Sequence, residues 1–228
     1  MILKNKKKSN AVRKSNINYL EIYQKIVTNI EFADFSDELK VLNITSTQAG
    51  EGKSTVSLNL AAVFASKYNR VLLIDCDLRK PVLHRRLKVS NQKGISNLLK
   101  DYSERTNVFD YCHKVTGKNT EGLLYVMTSG SKVPNPQALL GSNKFKELIK
   151  EVKKEFDLII IDCPPVGIVS DASYVSNISD GTIFVVSSKD TNKEDAKQAL
   201  TTLQRNGAKV LGSVLTKTDV ETKSYGYY

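Results

Sequence analysis

The chain contains no tryptophan, and aromatic residues make up only 7% of its 228 positions. It holds just three cysteines, Cys76, Cys112 and Cys163. An odd count without metal-ligand spacing argues against a disulfide framework and a zinc site, and points to a reducing, cytoplasmic compartment. No apolar run approaches the roughly 20 residues that span a bilayer. The longest, such as residues 158–161, are strand-sized. Lysines and polar residues soon follow Met1, where a secretion signal would place an apolar core. Acids are missing from the first fourteen positions, while Lys4, Lys6, Lys7, Lys8, Arg13 and Lys14 carry much of the net charge of +10. Such a segment is a solvated tail, or one drawn to an acidic membrane face or to nucleic acid. Charge alone leaves the three open.

What is present is an alternation. Leu20, Ile22, Tyr23, Ile26, Val27 and Ile30 recur near helical spacing. Apolar stretches at 40–46, 70–75, 123–129, 156–162, 181–188 and 208–216 read as strands. Helical patterns cover 53–67, 94–100, 142–155 and 193–206, and the Pro-Asn-Pro-Gln run at 134–137 reads as a break. Apolar strands alternating with polar-faced helices predict an α/β domain, a mostly parallel sheet with helices on both faces. We place it at residues 17–216, between flexible segments 1–16 and 217–228.

Three motifs follow strands at the end where such sheets bind ligands. The first is Gln48-Ala49-Gly50-Glu51-Gly52-Lys53-Ser54-Thr55. A strict phosphate loop has glycine at position 47, where this chain has Thr47. Gly50 and Gly52 permit the turn that aims backbone N–H groups at phosphate. Lys53 supplies charge for the β- and γ-phosphates, Ser54 a ligand for Mg²⁺, and Thr55 a contact to the α-phosphate. The second is Asp162, ending an apolar strand before Cys163-Pro164-Pro165, placed to hold Mg²⁺ or its water. The third is Asp75-Cys76-Asp77-Leu78-Arg79. Residues two apart on an extended segment point the same way, so both carboxylates are expected to face one spot beside the phosphates. Two acids there make sense with a metal: one tunes its water shell, the other takes a proton from an attacking hydroxyl. Arg79 is expected to pair with them or with phosphate. The basic run His84-Arg85-Arg86-Leu87-Lys88 reads as a solvated helix face, or as a subunit or phosphate contact.

A phosphate loop combined with Asp-x-Asp-x-Arg after the next strand resembles the bacterial tyrosine kinases of capsule and exopolysaccharide synthesis. These belong with the septum-placing and plasmid-partitioning ATPases among the deviant-Walker P-loop proteins. The resemblance runs from about Tyr19 to Tyr228 and includes the segment 129–142 around Pro134-Asn135-Pro136. It implies ATP and Mg²⁺ as cofactors and transfer of the γ-phosphate to tyrosine. Asp75 is then the expected base, and Asp77, with Ser54 and Asp162, serves the metal. The C-terminal Tyr225, Tyr227 and Tyr228 become the acceptors, one subunit presenting its tail to its neighbour. A separate membrane-anchored activator would dock on the kinase and hold it at the inner face of the membrane, and a cognate phosphatase would oppose it. No nucleic-acid partner is expected.

Two departures are visible. Partitioning ATPases carry a lysine where this chain has Gln48, which weakens the alternative reading as a non-kinase switch positioning cargo on membrane or DNA. The family's N-terminal helix often carries arginines where this chain has Gln24 and Val27, so the size of any ring-shaped oligomer stays open.

Overall fold

The computed structural model describes residues 18–34, 39–103, 105–115, 123–166 and 171–219. The basic segment 1–16 and the tyrosines at 225, 227 and 228 lie outside them. In chain order the elements are α1 (Tyr19–Ala33), β1 (Val41–Ser46), α2 (Lys53–Phe64), β2 (Arg70–Asp75), α3 (Leu83–Leu87) and α4 (Ile95–Asp101). A 3-10 turn (Val108–Tyr111), β3 (His113–Val115), β4 (Leu123–Met127), α5 (Pro136–Leu140), α6 (Asn143–Glu155) and β5 (Leu158–Asp162) follow. The chain continues through α7 (Asp171–Ser176), β6 (Gly181–Ser187), α8 (Lys193–Arg205) and β7 (Val210–Thr216).

The strands form one sheet in the order β3-β4-β2-β5-β1-β6-β7, parallel except for β3. Its central strands are buried on both faces, so they read as unbroken apolar runs. Alternate residues feed two cores. Leu72, Ile74, Ile159 and Ile161 pack with residues of α4 to α8. Leu42, Ile44, Leu73 and Ile160 pack with α1, α2 and α3. In α1, Val27 and Ile30 are the residues buried against this second core, while Gln24 is exposed. The expected α/β architecture, with helices on both faces, is the one observed.

Short elements depart from expectation. The Pro-Asn-Pro run does not only break the chain. Asn135 caps α5, its side chain accepting from the Ala138 amide, and Pro136 opens the helix, where its missing N–H costs nothing. The antiparallel strand β3 and helix α7 had no clear signal, being three and six residues long.

The loop after β4 is locked to the start of α4. Ser96 donates to the Ser131 carbonyl, and Asn91 accepts from the Gly130 amide. A Cβ on Gly94 would sit 2.1 Å from the Thr128 carbonyl oxygen and 2.5 Å from the Gly130 nitrogen. Backbone on both sides cannot yield cheaply, so Gly94→Ala is expected to destabilise by about 3 kcal/mol, read as a lowered urea midpoint.

Candidate active site

The loop between β1 and α2 reaches left-handed backbone at both predicted positions, with φ of +87° at Gly50 and +94° at Gly52. It opens on a cleft of about 470 Å³, lined on this side by Ala49, Gly50, Gly52, Lys53, Ser54 and Thr55. The side chain of Glu51 turns away. It is fully buried, accepting from the Gln48 amide at 2.9 Å and from the Thr191 hydroxyl. Gln48 in turn donates to the Asp190 carbonyl, and Thr216 donates to the Glu51 carbonyl. The loop is thus braced by the ends of β6 and β7. The Glu51 side chain therefore does not line the cleft, and Gln48 is bonded within its own chain.

Asp162 ends β5 directly across from Asp75, which ends β2. The parallel register therefore sets two carboxylates side by side, with Asp77 just beyond. Lys53 donates to Asp77 Oδ2 at 2.9 Å and lies 3.9 Å from Asp162 Oδ1. Burial disfavours its charge, but the carboxylates of Asp162 and Asp77 outweigh that and hold its pKa above the ordinary lysine value. Burial raises Asp162, against the pull of Lys53 and the hydroxyls of Ser54 and Ser57. Ser57 was not anticipated. It stands one helical turn beyond Lys53 and donates to Asp162 Oδ1 at 3.1 Å.

The two acids of the Asp-x-Asp motif do not face one spot. Asp75 is completely buried, with Oδ1 accepting from the Asp77 amide and Oδ2 from the amides of Val82 and Leu83. Burial, then the charge of Asp162, pushes its pKa up to about 7. Asp77 lines the cleft, its Oδ2 toward Lys53 and its Oδ1 accepting from the Lys80 amide at 3.0 Å. The strand ends at Asp75, so Asp77 lies beyond the segment to which the two-residue rule applies. Arg79 also departs from expectation. It donates from Nε to Asp171 Oδ2 at 2.9 Å and from a second nitrogen to Oδ1 at 3.3 Å, pairing with the buried first residue of α7.

The donor set fits a magnesium ion that arrives with phosphate. Asp162 Oδ2 is buried with no partner, and Lys53 contacts Asp77 at 2.9 Å with Asp162 3.9 Å away. Among the described residues no group of three His, Cys, Asp or Glu side chains forms an ion cage of its own. Mg²⁺ needs none when water and phosphate complete its shell. The cysteines are free thiols; burial pushes Cys112 up to about 12 and raises Cys76 and Cys163 well above the ordinary range. Among the described residues no helix is long and apolar enough to cross a membrane.

This loop-to-helix turn at the end of β1, with an acid at the end of β5, defines a P-loop nucleotide-binding protein. The family model described as AAA domain matches residues 39–211. A cell division ATPase MinD from Pyrococcus furiosus shares the fold, with a TM-score of 0.61 and 26% identity over 79% of this chain and 74% of that one.

Other relatives narrow the assignment. The chain is 40% identical to tyrosine-protein kinase YwqD of Bacillus subtilis over 209 residues, covering 91% of this chain and 85% of that protein. It is 39% identical to tyrosine-protein kinase CpsD of Streptococcus pneumoniae, over 90% of this chain and 87% of that one. The kinase domain of Escherichia coli tyrosine kinase ETK superposes with a TM-score of 0.77 at 30% identity, covering 91% of this chain and 80% of that one. The chain belongs to the bacterial tyrosine kinases.

Proposed function

We infer that the chain transfers the γ-phosphate of ATP to tyrosine hydroxyls, its own Tyr225, Tyr227 and Tyr228 among them, and so regulates capsular or exopolysaccharide synthesis. The observation that carries this reading is the Lys53–Asp77 contact, which sets a carboxylate at the point where the phosphate-binding lysine ends. A hydrolytic switch needs only a positioned water; a cleft-facing acid beside the terminal phosphate suits an incoming hydroxyl.

The loop amides and Lys53 bind the phosphates and hold their charge. Ser54 and Asp162 are the residues that would hold Mg²⁺, which supplies charge neutralisation across the β- and γ-phosphates. The tyrosine oxygen forms a bond to the γ-phosphorus as the bond to the β–γ bridging oxygen breaks, and ADP leaves. The phenol proton, from a group of reference pKa about 10, passes to a carboxylate. Asp77 is the acid that lines the cleft among the described residues, so we assign it the base role in place of Asp75, rather than the metal-serving role first expected of it. Phosphate draws Lys53 away from Asp77 and frees the carboxylate to act. Asp75, saturated by three backbone amides, holds the segment 77–83 in place, and Arg79 ties it to α7 through Asp171.

We further propose a separate membrane-anchored activator that places the kinase at the inner face of the membrane, tail-to-neighbour self-association, and a cognate phosphatase. Family membership and the basic stretch before α1 support these. The non-kinase alternative loses ground because Gln48 is bonded within its own chain, where partitioning ATPases carry a lysine.

Incubation with γ-labelled ATP and Mg²⁺, with and without an activator tail, tests the reading. Label is expected on tyrosine, and lost when positions 225, 227 and 228 are all phenylalanine. ATP hydrolysis with no phosphotyrosine under any condition would overturn it.

A further inference from the structure

The basic run 84–88 plays no part in the mechanism above. In the fold it spans α3, and its cations separate: Arg86 lines the cleft, as Lys80 does, whereas Arg85 and Lys88 do not. Among the described residues five cations line the cleft: Lys53, Arg79, Lys80, Arg86 and Lys217. Three of them have carboxylate partners, Lys53 with Asp77, Arg79 with Asp171 and Lys217 with Asp190. Among the described residues, Lys80 and Arg86 pair with no carboxylate. Their backbone is nonetheless fixed. The Lys80 amide donates to Asp77, the Arg86 amide to the Val82 carbonyl, and Leu83 is fully buried beneath them.

Their place in the cleft bears on what they meet. The sheet order puts the end of β2 on one side of β5 and the phosphate loop after β1 on the other. Lys53 reaches from that loop toward Asp77, so its ammonium marks the direction in which the phosphates end. A terminal phosphate held by Lys53 would therefore lie toward the β2 wall. A hydroxyl attacking it in line enters over that wall, beside Lys80 and Arg86. Lys217, after β7, lies at the opposite end of the cleft.

We propose that Lys80 and Arg86 form an acceptor subsite that selects tyrosines flanked by an anionic group. That group is a side-chain carboxylate or the phosphate of a tyrosine already modified. The inference rests on the kinase reading and names the substrate class of that site. The chain's own sequence supplies both kinds of flank. Glu221 stands four residues before Tyr225, with Lys223 between them, and Tyr227 and Tyr228 follow it closely, while Asp219 is already paired with Lys189. A first phosphate on this segment strengthens recognition of the next tyrosine, so modifications accumulate on one tail. Because both cations are exposed to solvent, the preference is sensitive to salt.

The test uses the full-length chain and three synthetic peptides with one acceptor tyrosine each, flanked by glutamine, by glutamate, or by phosphotyrosine. We expect kcat/KM to rise roughly tenfold from the glutamine to the glutamate peptide, through KM, and further for phosphotyrosine. High salt should erase the difference. The double variant Lys80→Gln/Arg86→Gln should level the three peptides without moving the KM for ATP, and Arg85→Gln/Lys88→Gln should keep the wild-type order. A rise for glutamate without a further rise for phosphotyrosine would limit the subsite to carboxylates and overturn the accumulation of phosphates on one tail. Equal rates on all three peptides with the wild-type chain would overturn the subsite. So would a double variant that raises the KM for ATP alike with every peptide, since both cations would then serve the nucleotide. Absence of transfer to every peptide and to the chain's own tail would instead remove the kinase reading, and the subsite with it.

Discussion

Asp77→Asn lowers phosphotyrosine formation by about 10²–10⁴-fold, the range that a positioned general base contributes, while nucleotide binding survives. The expectation follows from where the two acids sit. Asp77 is the acid of the motif that lines the cleft, and its partner Lys53 is the side chain that phosphate will claim. Asn keeps the shape and an acceptor for the Lys80 amide but cannot take the proton. Single-turnover transfer from labelled ATP measures the first effect and titration with ADP the second. Asp75→Asn should behave differently. Its three amide donors converge on two oxygens, and the substituted NH₂ group would confront one of them. The segment 77–83 loosens, lowering thermal stability and weakening ATP binding along with transfer. The reverse pattern, with Asp75→Asn silent in stability but inactive and Asp77→Asn mild, would restore Asp75 as the base.

Lys53→Met is expected to abolish transfer and also to alter stability with pH. The ammonium stands among Asp75, Asp77 and Asp162, and its removal leaves buried carboxylates without their counter-charge. Removing one partner of a buried pair costs about 3–5 kcal/mol. The sign follows from the direction of the shifts. A carboxyl raised in the folded state, as Asp75 is to about 7 from its ordinary 3.8, favours folding when protonated. That contribution is complete below the unfolded value and is lost as pH rises through the folded one. The nucleotide-free wild-type chain should therefore lose this contribution between about pH 4 and 7. Lys53 lowers the pKa values of both Asp75 and Asp162, so without it both rise further. The variant should match the wild type most closely in acid and fall furthest behind it near pH 8, as read by thermal melting across that range. A constant deficit at all pH values would mean that lost packing, not lost charge, is the cause.

Much of this site was legible before the fold. β2 spans Arg70–Asp75 as expected, because its apolar run, residues 71–74, is buried on both faces and is bounded at each end by a charged residue. The long helices α6 and α8 emerged from periodicity, and Ser142 and Asn192 cap them as their side chains allow. The short elements were not legible. Strand β3 is three residues at the sheet edge, and α7 is six residues entered at a buried acid. Too few residues carry a period in either. Pro136 read only as part of a break, because the proline that ends extended chain is also favoured at the first position of a helix.

By itself, the sequence determined that three motifs end three strands and that a P-loop lysine and three acids share one edge of a parallel sheet, whereas phosphate transfer to tyrosine came only as what the family resemblance implies. These follow from local rules: strand period, glycine backbone freedom and ligand binding at strand ends. The tertiary structure alone decided how the side chains divide that work. Arg79 answers to Asp171, 92 residues away, and Glu51 to Thr191, 140 residues away. Asp75 turned inward and Asp77 stayed in the cleft, and Arg86 reached the cleft while Arg85 did not. A buried charge takes whichever donor the packing brings within about 3 Å. That donor is set by strand order and loop path, which no local spacing encodes.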